Sequence, residues 1–522
     1  MITGARRLSD KIVTNTVYNV AGRLWQIFVS FFLTPYIIYH IGVELFGVWA
    51  LIGVLIGYLG LLDFGVSTSF VKYISEYYTL RKYNRINDTV KAGLFLYLII
   101  APVIIVSGVF FVHPLFTLLQ IPVEHYQEAS QVFWLGLAAF LLKNIFSVFS
   151  AVLSGLQRLD VLNKVYIIAT IPRVLGTLFV LEKGFGIVGL MCNELIVLLC
   201  TSCLNIFFAY RVFPNLRIWS RRKSSRIAIK RLLSFGIRIH TSNIALMINL
   251  HFDKILIGAI LNTVFVGFYE IAARLTFMAR SLPSLIVSAV MPAVSELYAK
   301  NENEKIYQLF VLATKSSILI ATPIMFFLFQ AASQVIFIWM GGGYTEAVPV
   351  VQMLAVAYYA VIPTGAISHT VQGINKPNYQ MKASLFILFI NVLFSTALTL
   401  YYGFLGAPMG TMIACILSLC YYTNIIQKHF NRSFIDFARR IYVKPVLICI
   451  ALNYLFEIAE KVLPFMSVSG DRIVVLGSLL IKALIFFSLY IVLIVPMGYL
   501  DHFEKGHFRL QLESLFPKLR RA

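Results

Sequence analysis

The sequence predicts an all-α integral membrane protein with about fourteen transmembrane helices: two homologous six-helix lobes, followed by two extra C-terminal helices. Three observations support this fold class. The 522 residues are 59% hydrophobic and only 13% charged, with a mean hydropathy of +0.82, as expected for a chain whose main solvent is lipid. Apolar runs long enough to cross a bilayer recur along the whole chain, and part of the chain repeats itself.

The repeat is clearest in segment 42–78, which is mostly apolar and, at about 1.5 Å per residue, crosses a hydrocarbon core of roughly 30 Å. Adding 220 to each position superimposes this segment, without a gap, on a second hydrophobic one, and a later stretch matches at an offset of 217 or 218. Matched positions include Gly47 with Gly267, Ser75-Glu76 with Ser295-Glu296, Gly155 with Gly373, and Gly186 with Gly403.

The apolar runs place the individual spans. In chain order they are 13–38, 44–71, 91–112, 131–153, 164–182, 187–210, 235–260, 264–294, 309–338, 348–371, 381–401, 405–427, 443–462 and 473–499. The first run is preceded by a basic segment, but it is too long for a signal peptide and lacks a small-residue cleavage site. We therefore expect a retained helix.

The predicted domains follow from the repeat and the polar segments. Residues 1–210 form an N-terminal six-helix lobe, and 211–233 form a basic linker that we expect to lie as an amphipathic helix on the cytoplasmic surface. Residues 234–430 form the second six-helix lobe. Residues 431–522 hold two additional transmembrane helices, without partners in the repeat, and a basic cytoplasmic tail.

Loop charges predict the orientation. Only Lys183, Lys461 and Arg472 fall in loops on one side, whereas most of the 44 Lys and Arg fall in loops on the other side, with both termini. The positive-inside rule therefore places both termini in the cytoplasm. We expect the protein in the plasma (inner) membrane. The net charge of +21 fits anionic membrane lipids. Nucleic acid is not an expected partner, because no polar domain carries a basic stripe with stacking aromatics.

The sequence holds no recognisable catalytic or metal motif. HExxH, GxSxG and P-loop patterns are absent, and no His, Cys or Asp cluster has metal-ligand spacing, so we expect neither an enzyme nor a cofactor. The six cysteines lie in apolar segments, where packing explains them best. Gly53-x-x-x-Gly57 and Gly406-x-x-x-Gly410 have the spacing of close helix packing.

Charged residues inside the spans are the main functional candidates, because ionisable groups at membrane depth are costly and persist where they face a partner or a wet cavity. The basic ones are Arg23, Lys143, Arg173, Arg238, Lys254, Arg274, Arg280 and Lys482. Arg23 is the strongest candidate, since it lies about 18 Å beyond Lys11 and its own helix holds no acidic residue.

Arg173 and Arg274 are also expected near mid-bilayer. Glu270 lies four residues before Arg274, so a salt bridge within one helix is an equal alternative to a binding role.

Four acidic residues complete the set of candidates as coupling or structural groups: Asp63, Glu194, Asp253 and Glu270. Asp253 and Lys254 are nearer the outer end of their span, where anchoring at the interface is slightly favoured. Lys143, Asp63 and Glu194 could pair with one another inside the helix bundle.

The duplicated architecture and two stretches, PYIIYHIGVELFGVWALIGVLIGYLGLLDFG and FDKILIGAILNTVFVGFYEIAARL, resemble the polysaccharide (Wzx-type) flippases of the multidrug/oligosaccharidyl-lipid/polysaccharide exporter superfamily. The resemblance implies two bundles around a central cavity that opens alternately to each side. It also implies an undecaprenyl-pyrophosphate-linked oligosaccharide as cargo, for lipopolysaccharide O-antigen, capsule or exopolysaccharide. The family's cationic cavity maps onto Arg23, Arg173 and Arg274, and less directly onto Lys143 and Lys254.

Elementary chemistry agrees with such a cargo, because a diphosphate cannot cross hydrocarbon unaided and arginine offers it bidentate hydrogen bonds. A polysaccharide polymerase and glycosyltransferases are expected partners. Two other functions remain open. A cation-coupled drug antiporter of the same superfamily needs a deep carboxylate in the N-terminal lobe, for which Asp63 is the candidate. A scaffold for glycan-assembly enzymes would move nothing.

The predicted orientation can be tested with single cysteines. We expect Ser224→Cys and Ser433→Cys to be shielded from a membrane-impermeant thiol reagent in intact cells, and Gly342→Cys to react. Labelling of Ser224→Cys in sealed cells would contradict the predicted orientation.

Overall fold

The computed structural model describes residues 2–63, 66–217, 226–285, 287, 290–462 and 471–499. It describes the backbone alone for 2–21, 23, 62–63, 67–68, 226–228, 230, 233–243, 246, 292, 460 and 462. The helices are α1 (Ile2–Leu59), α2 (Val66–Thr79), α3 (Tyr83–Leu118), α4 (Tyr126–Gly155), α5 (Leu159–Glu182), α6 (Gly186–Val212), α7 (Arg226–Ile260), α8 (Thr263–Ser284), α9 (Val290–Ala299), α10 (Asn303–Gln330), α11 (Ala332–Met340), α12 (Ala347–Gly373), α13 (Pro377–Tyr402), α14 (Gly406–His429), α15 (Phe434–Ala438), α16 (Lys444–Val462) and α17 (Arg472–Ile494).

The predicted all-α membrane class is confirmed. Ten helical segments of the described chain are long and apolar enough to cross a membrane, and each of the fourteen predicted spans falls on a helix or on two consecutive helices. The first predicted span and the first part of the second are continuous in α1, with a kink at Gly42, whose φ of 78° is a conformation that glycine adopts without steric cost.

The internal repeat is visible in the backbone. Non-glycine residues rarely adopt a positive φ, yet they do so at equivalent positions in the two repeats. The pairs are Arg81 (φ 55°) with Asn301 (φ 57°) and Gln157 (φ 56°) with Asn375 (φ 56°). Side-chain packing repeats as well, because Gly155 leaves room for Ile74 and its equivalent Gly373 leaves room for Val294.

The second and eighth spans are both interrupted. After α1 the chain makes a 3₁₀ turn over Gly60–Asp63 before α2 begins, and α8 ends at Ser284, just after Pro283, before α9 begins. Interrupted helices are tolerated at membrane depth where the freed backbone groups are buried in protein or line a water-filled cavity.

The chain divides into two compact units, Met1–Gly267 and Phe268–Ala522. This division differs from the lobe boundary predicted at the 211–233 linker, because α7 packs on α1, α2 and α3. The Ser69 hydroxyl, for example, donates to the Leu232 carbonyl at 2.9 Å. The lobe boundaries remain a prediction based on the sequence repeat, whereas the two units are defined by contacts between residues.

A glycine crossing joins the second half of α1 to the start of α8 within the first unit. A Cβ atom on Gly47 would overlap the carbonyl group of Thr263, and one on Gly267 would overlap the carbonyl group of Val43. Gly47 and Gly267 are repeat equivalents, as are Val43 and Thr263, so the contact is reciprocal. The two backbones touch because neither glycine carries a side chain.

The two glycine motifs behave differently. Gly406 and Gly410 pack against the backbone of α13, at Leu398 and Ser395, as predicted. For Gly53 and Gly57 the packing prediction is wrong among the described atoms. A Cβ on Gly53 would meet nothing within 4 Å, and one on Gly57 would meet only the Met247 methyl group at 3.4 Å.

Alanine substitutions distinguish these two kinds of glycine. We expect Gly47→Ala to lower the melting temperature of the detergent-solubilised protein, because overpacking costs about 1–3 kcal/mol. Gly53→Ala is the matched control in the same helix and should be neutral or stabilising, since alanine favours a helix over glycine by roughly 0.5–1 kcal/mol. Equal melting temperatures for the two variants would contradict the crossing.

Candidate functional site

A charged pair lies deep within the first unit. Arg173 is nine residues before the end of α5 at Glu182, and Glu194 is eight residues after the start of α6 at Gly186. Both residues therefore lie about 12–14 Å along their helices from the turn that connects α5 to α6. The Nη2 atom of Arg173 is 3.0 Å from Oε2 of Glu194, so the two side chains form a salt bridge between adjacent spans.

The neighbouring Asn193 fixes this geometry. Its Nδ2 donates to the backbone carbonyl of Arg173 at 2.9 Å and to the Thr177 hydroxyl at 3.2 Å. Gly176 makes the approach possible, since a Cβ there would overlap the Asn193 amide. Because Asn193 ties α6 to α5, the next residue, Glu194, is held opposite Arg173.

The pair is neither buried nor fully exposed. About a third of each side chain is accessible, 34% for Arg173 and 38% for Glu194, while the Nε atom of Arg173 is buried without an acceptor among the described residues. Charge facing hydrocarbon at this depth is strongly unfavourable. The accessible surface of the pair therefore requires water or a polar ligand.

The second repeat has a neutral contact at the same place. Asn391 and Thr411 are the equivalents of Arg173 and Glu194, and Nδ2 of Asn391 donates to the Thr411 hydroxyl at 2.8 Å. Both repeats therefore have a polar contact between these two helices, and this contact is charged in the first repeat and neutral in the second.

Arg274 in the second unit forms the salt bridge that its spacing suggested. Its Nε is 2.7 Å from Oε1 of Glu270, and the side chains are 28% and 10% exposed. Further along α8, the Arg280 guanidinium lies over the rings of Phe277 and Tyr358, at 5.8 and 5.1 Å from the ring centres. Both cations therefore have a partner on the protein.

The other predicted residues do not form one cluster. Lys143 is exposed on α4 and has no ion pair among the described residues; Glu194, one of its predicted partners, binds Arg173 instead. Asp253, only 2% exposed, and the half-buried Lys254 lie on α7, and both interact with other groups. Burial of Asp253 does not fit an interfacial anchor.

The side chains of three predicted residues, Arg23, Asp63 and Arg238, lie outside the described residues. The backbone of Arg23 is helical within α1, and Asp63 ends the 3₁₀ turn after it.

Lys315 was missed as a buried charge, because the sequence places it with the cytoplasmic lysines. It is the thirteenth residue of α10 and is 2% exposed. Its Nζ donates to the Tyr499 carbonyl at 3.1 Å and lies 5.5 Å from the centre of the Tyr499 ring. The position of Lys315 inside the apolar run 309–338 was the available signal.

The structure also gathers three possible metal ligands that the sequence spacing did not reveal. Oxygen atoms of Glu44 and Glu124 and a ring nitrogen of His125 lie within 4.8 Å of one another. About eighty residues separate Glu44 from the other two, so no local motif could show the group. Carboxylates and imidazole can bind divalent cations, although exposed acidic groups of this kind are common without an ion.

A duplicated, all-helical membrane chain with interrupted helices and charges at mid-depth has the organisation of a secondary transporter. Residues 41–349, more than half of the chain, match the family described as "Polysaccharide biosynthesis protein", and the chain belongs to this family. The family predicted from the sequence is thereby confirmed.

Named relatives agree. The chain is 23% identical over 398 residues to the "Probable low-salt glycan biosynthesis flippase Agl15" of Haloferax volcanii. The aligned region covers 76% of this chain and 78% of the relative. Among solved structures, the lipid II flippase MurJ in an inward closed conformation superposes with a TM-score of 0.70 at 14% identity, over 93% of this chain and 99% of MurJ. An inward-facing multidrug resistance MATE transporter gives 0.68 at 18% identity, over 80% and 94%. The two structures show the shared fold, and all three proteins are transporters or flippases.

The charged pair leads to a stability prediction. Arg173→Ala leaves Glu194 as an uncompensated charge at mid-depth, so we expect lower membrane abundance and a lower melting temperature. The cost should be below the roughly 3–5 kcal/mol of a fully buried pair, because both side chains are partly accessible. Adding Glu194→Gln should restore most of the loss. Failure of Glu194→Gln to restore abundance and melting temperature would contradict an electrostatic origin.

Proposed function

We propose that the chain is an alternating-access flippase that moves an undecaprenyl-pyrophosphate-linked oligosaccharide from the cytoplasmic to the outer leaflet for polysaccharide biosynthesis. The observation that carries this proposal is the partly accessible Arg173–Glu194 pair at mid-bilayer depth. The family match, the name of the archaeal glycan flippase and the fold shared with a lipid II flippase support the same cargo class. No catalytic step is part of this function.

A diphosphate group fits the chemistry of Arg173. About a third of its side chain is accessible, and its Nη2 binds a carboxylate that a diphosphate would displace. Planar guanidinium groups bind phosphate oxygens through two parallel hydrogen bonds. The sugar units would follow the diphosphate through a central cavity, while the lipid tail stays in the bilayer.

Glu194 gives the empty transporter a way to reset. Without cargo it neutralises Arg173, so that the site can change its accessibility without carrying a bare charge through hydrocarbon. When the diphosphate arrives, it replaces the carboxylate. Moving net negative charge outward is favourable by about 2.3 kcal/mol per charge per 100 mV in a cell whose interior is negative, which gives the cycle a direction.

The remaining candidates of the cationic cavity are Arg23, Arg274, Lys143 and Lys254. Arg274 pairs with Glu270 within one helix, and phosphate would replace that carboxylate when cargo binds. Both termini are proposed to be cytoplasmic in the cell membrane. A polysaccharide polymerase and glycosyltransferases are proposed as partners because they act on the same lipid-linked chain before and after translocation.

A cation-coupled antiporter is the second candidate, favoured by the fold shared with a multidrug transporter and by Glu194, a deep carboxylate in the first repeat. The salt bridge to Arg173 weighs against it, since a carboxylate already neutralised attracts cations poorly. Purified protein in vesicles separates the candidates: a flippase translocates a lipid-linked oligosaccharide unaided, an antiporter exchanges a cationic drug for protons or sodium, and a scaffold does neither.

Transport assays with the charge variants test the cargo site. We expect Arg173→Ala/Glu194→Gln and Arg23→Ala to reach the membrane in normal amounts and to lose most glycan export, because the phosphate ligands are gone. Arg23→Lys should keep part of the export, since it retains the charge but loses the planar fork. Lys461→Gln, which alters an exposed pair with Glu457, is the control. Normal export by both alanine variants would reject the site.

A further inference from the structure

A basic pocket lies outside the proposed cargo site, at the end of the first unit that holds the turn between α2 and α3. It has a volume of about 490 Å³ and is lined by residues of that turn, of the first turns of α3, and of the segment after α6. Four of its lining residues are cations, and none is acidic: Arg81, Lys82, Arg85 and Arg217. Each of the four is exposed and has no ion pair among the described residues.

Asn87 assembles this pocket from segments that are distant in sequence. It is 8% exposed; its Nδ2 donates to the Asn215 carbonyl at 3.0 Å, and its Oδ1 accepts from the backbone N–H of Arg217 at 3.0 Å. These two hydrogen bonds hold the segment after α6 against α3. Arg217 is thereby brought to the cations of the α2–α3 turn, although mutual repulsion opposes this arrangement.

The second repeat provides an internal comparison. The equivalent pocket, of about 290 Å³, contains Glu304 at the position of Asn84, and Glu304 binds Arg432 at 2.6 Å. Around this end of the second unit, Lys305, the equivalent of Arg85, binds Glu302 at 2.9 Å. Lys300 binds Glu296 at 2.6 Å, and this hydrogen bond lowers the pKa of Glu296. Three cations at this end of the second unit are therefore each paired with a carboxylate, while Lys376 in the pocket contacts His429 and the Tyr379 ring. The pocket of the first repeat has no acidic lining residue.

The backbone conformation of Arg81 also distinguishes the first repeat from the second. Arg81 has a φ of 55°, and its equivalent Asn301 has a φ of 57°. Asparagine tolerates this left-handed conformation far better than arginine does. A cation is thus present where the local backbone favours asparagine.

The surroundings of the pocket indicate its depth in the membrane. Arg85 is six residues, or about 9 Å along the helix, outside the apolar run that starts at residue 91, which is the region of the lipid headgroups. Tyr78, Tyr83 and Phe213 pack beside it, with ring centres 5.5–6.3 Å apart, as is typical of an interfacial aromatic belt. Leu80 is 52% exposed next to Arg81, where acyl chains would pass.

We propose that this pocket binds the phosphate headgroup of an anionic membrane glycerophospholipid, as a site separate from the transport path. The phosphate oxygens accept hydrogen bonds from Arg81, Arg85 and Arg217, the pocket volume admits the headgroup, and the acyl chains lie along the apolar surface beside Leu80. The bound lipid supplies the negative charge that Glu304 supplies in the second repeat. This proposal does not rest on the glycan cargo.

The test measures the melting temperature of the purified full-length protein in detergent during titration with short-chain phosphatidylglycerol. We expect the lipid to raise the melting temperature of the unaltered protein in a saturable way. In Arg81→Asn/Arg85→Gln, half-saturation should require about 25-fold more lipid, since each cation near a membrane surface contributes about fivefold. Arg81→Asn places in the turn the residue that the second repeat uses there, so loss of folding is not expected.

Matched controls distinguish the possible sources of phosphate. Lys305→Gln, at the equivalent position in the second repeat, should leave half-saturation unchanged. Phosphatidylcholine, which has a phosphate but no net charge, should give little effect, and inorganic pyrophosphate should protect more weakly than phosphatidylglycerol. An unchanged half-saturation in the double variant would overturn the proposal. So would an equal response to phosphatidylcholine, or protection by pyrophosphate that matches or exceeds that of the lipid.

Discussion

The cost of placing charge in hydrocarbon governs the arrangement of the polar residues in this protein. Three deep cations that the structure describes meet a carboxylate, an aromatic face or a backbone carbonyl: Arg274, Arg280 and Lys315. Arg173 differs because its partner is held by a neighbouring helix and because part of both side chains remains accessible. A pair of this kind is stable when empty and can still exchange its carboxylate for another anion.

Comparison of the two repeats separates what the architecture needs from what is added to it. The α5–α6 and α13–α14 contacts are both tight polar contacts: Asn193 faces Gly176 in one, and Ser395 faces Gly410 in the other. Only in the first contact is a salt bridge built beside the polar link. The same holds at the α2–α3 turn, where a pocket that contains Glu304 in one repeat corresponds to a pocket with no acidic lining residue in the other. Differences between equivalent positions therefore identify candidate sites better than the positions do alone.

Hydropathy predicted most of the fold, because apolar length is a direct requirement for crossing the bilayer, and the repeat predicted the equivalent backbone turns at Arg81 and Asn301. The Glu270–Arg274 pair was available from spacing within one helix. The Arg173–Glu194 pair was not, since partners on different helices depend on helix rotation, which the hydrophobic pattern leaves undefined. For the same reason, spacing alone could not show that Gly406 and Gly410 pack closely while Gly53 does not.

Fusion of the two repeats in one chain has a genetic consequence for the salt bridge. A protein assembled from two identical half-length subunits would carry Arg173 and Glu194 twice or not at all, because one gene would encode both halves. After duplication and fusion, each half mutates independently, so an ancestral polar contact can gain charge in one copy and remain neutral as Asn391 and Thr411 in the other. A difference between the two repeats is thus possible in this single polypeptide and impossible in a homodimer of its halves.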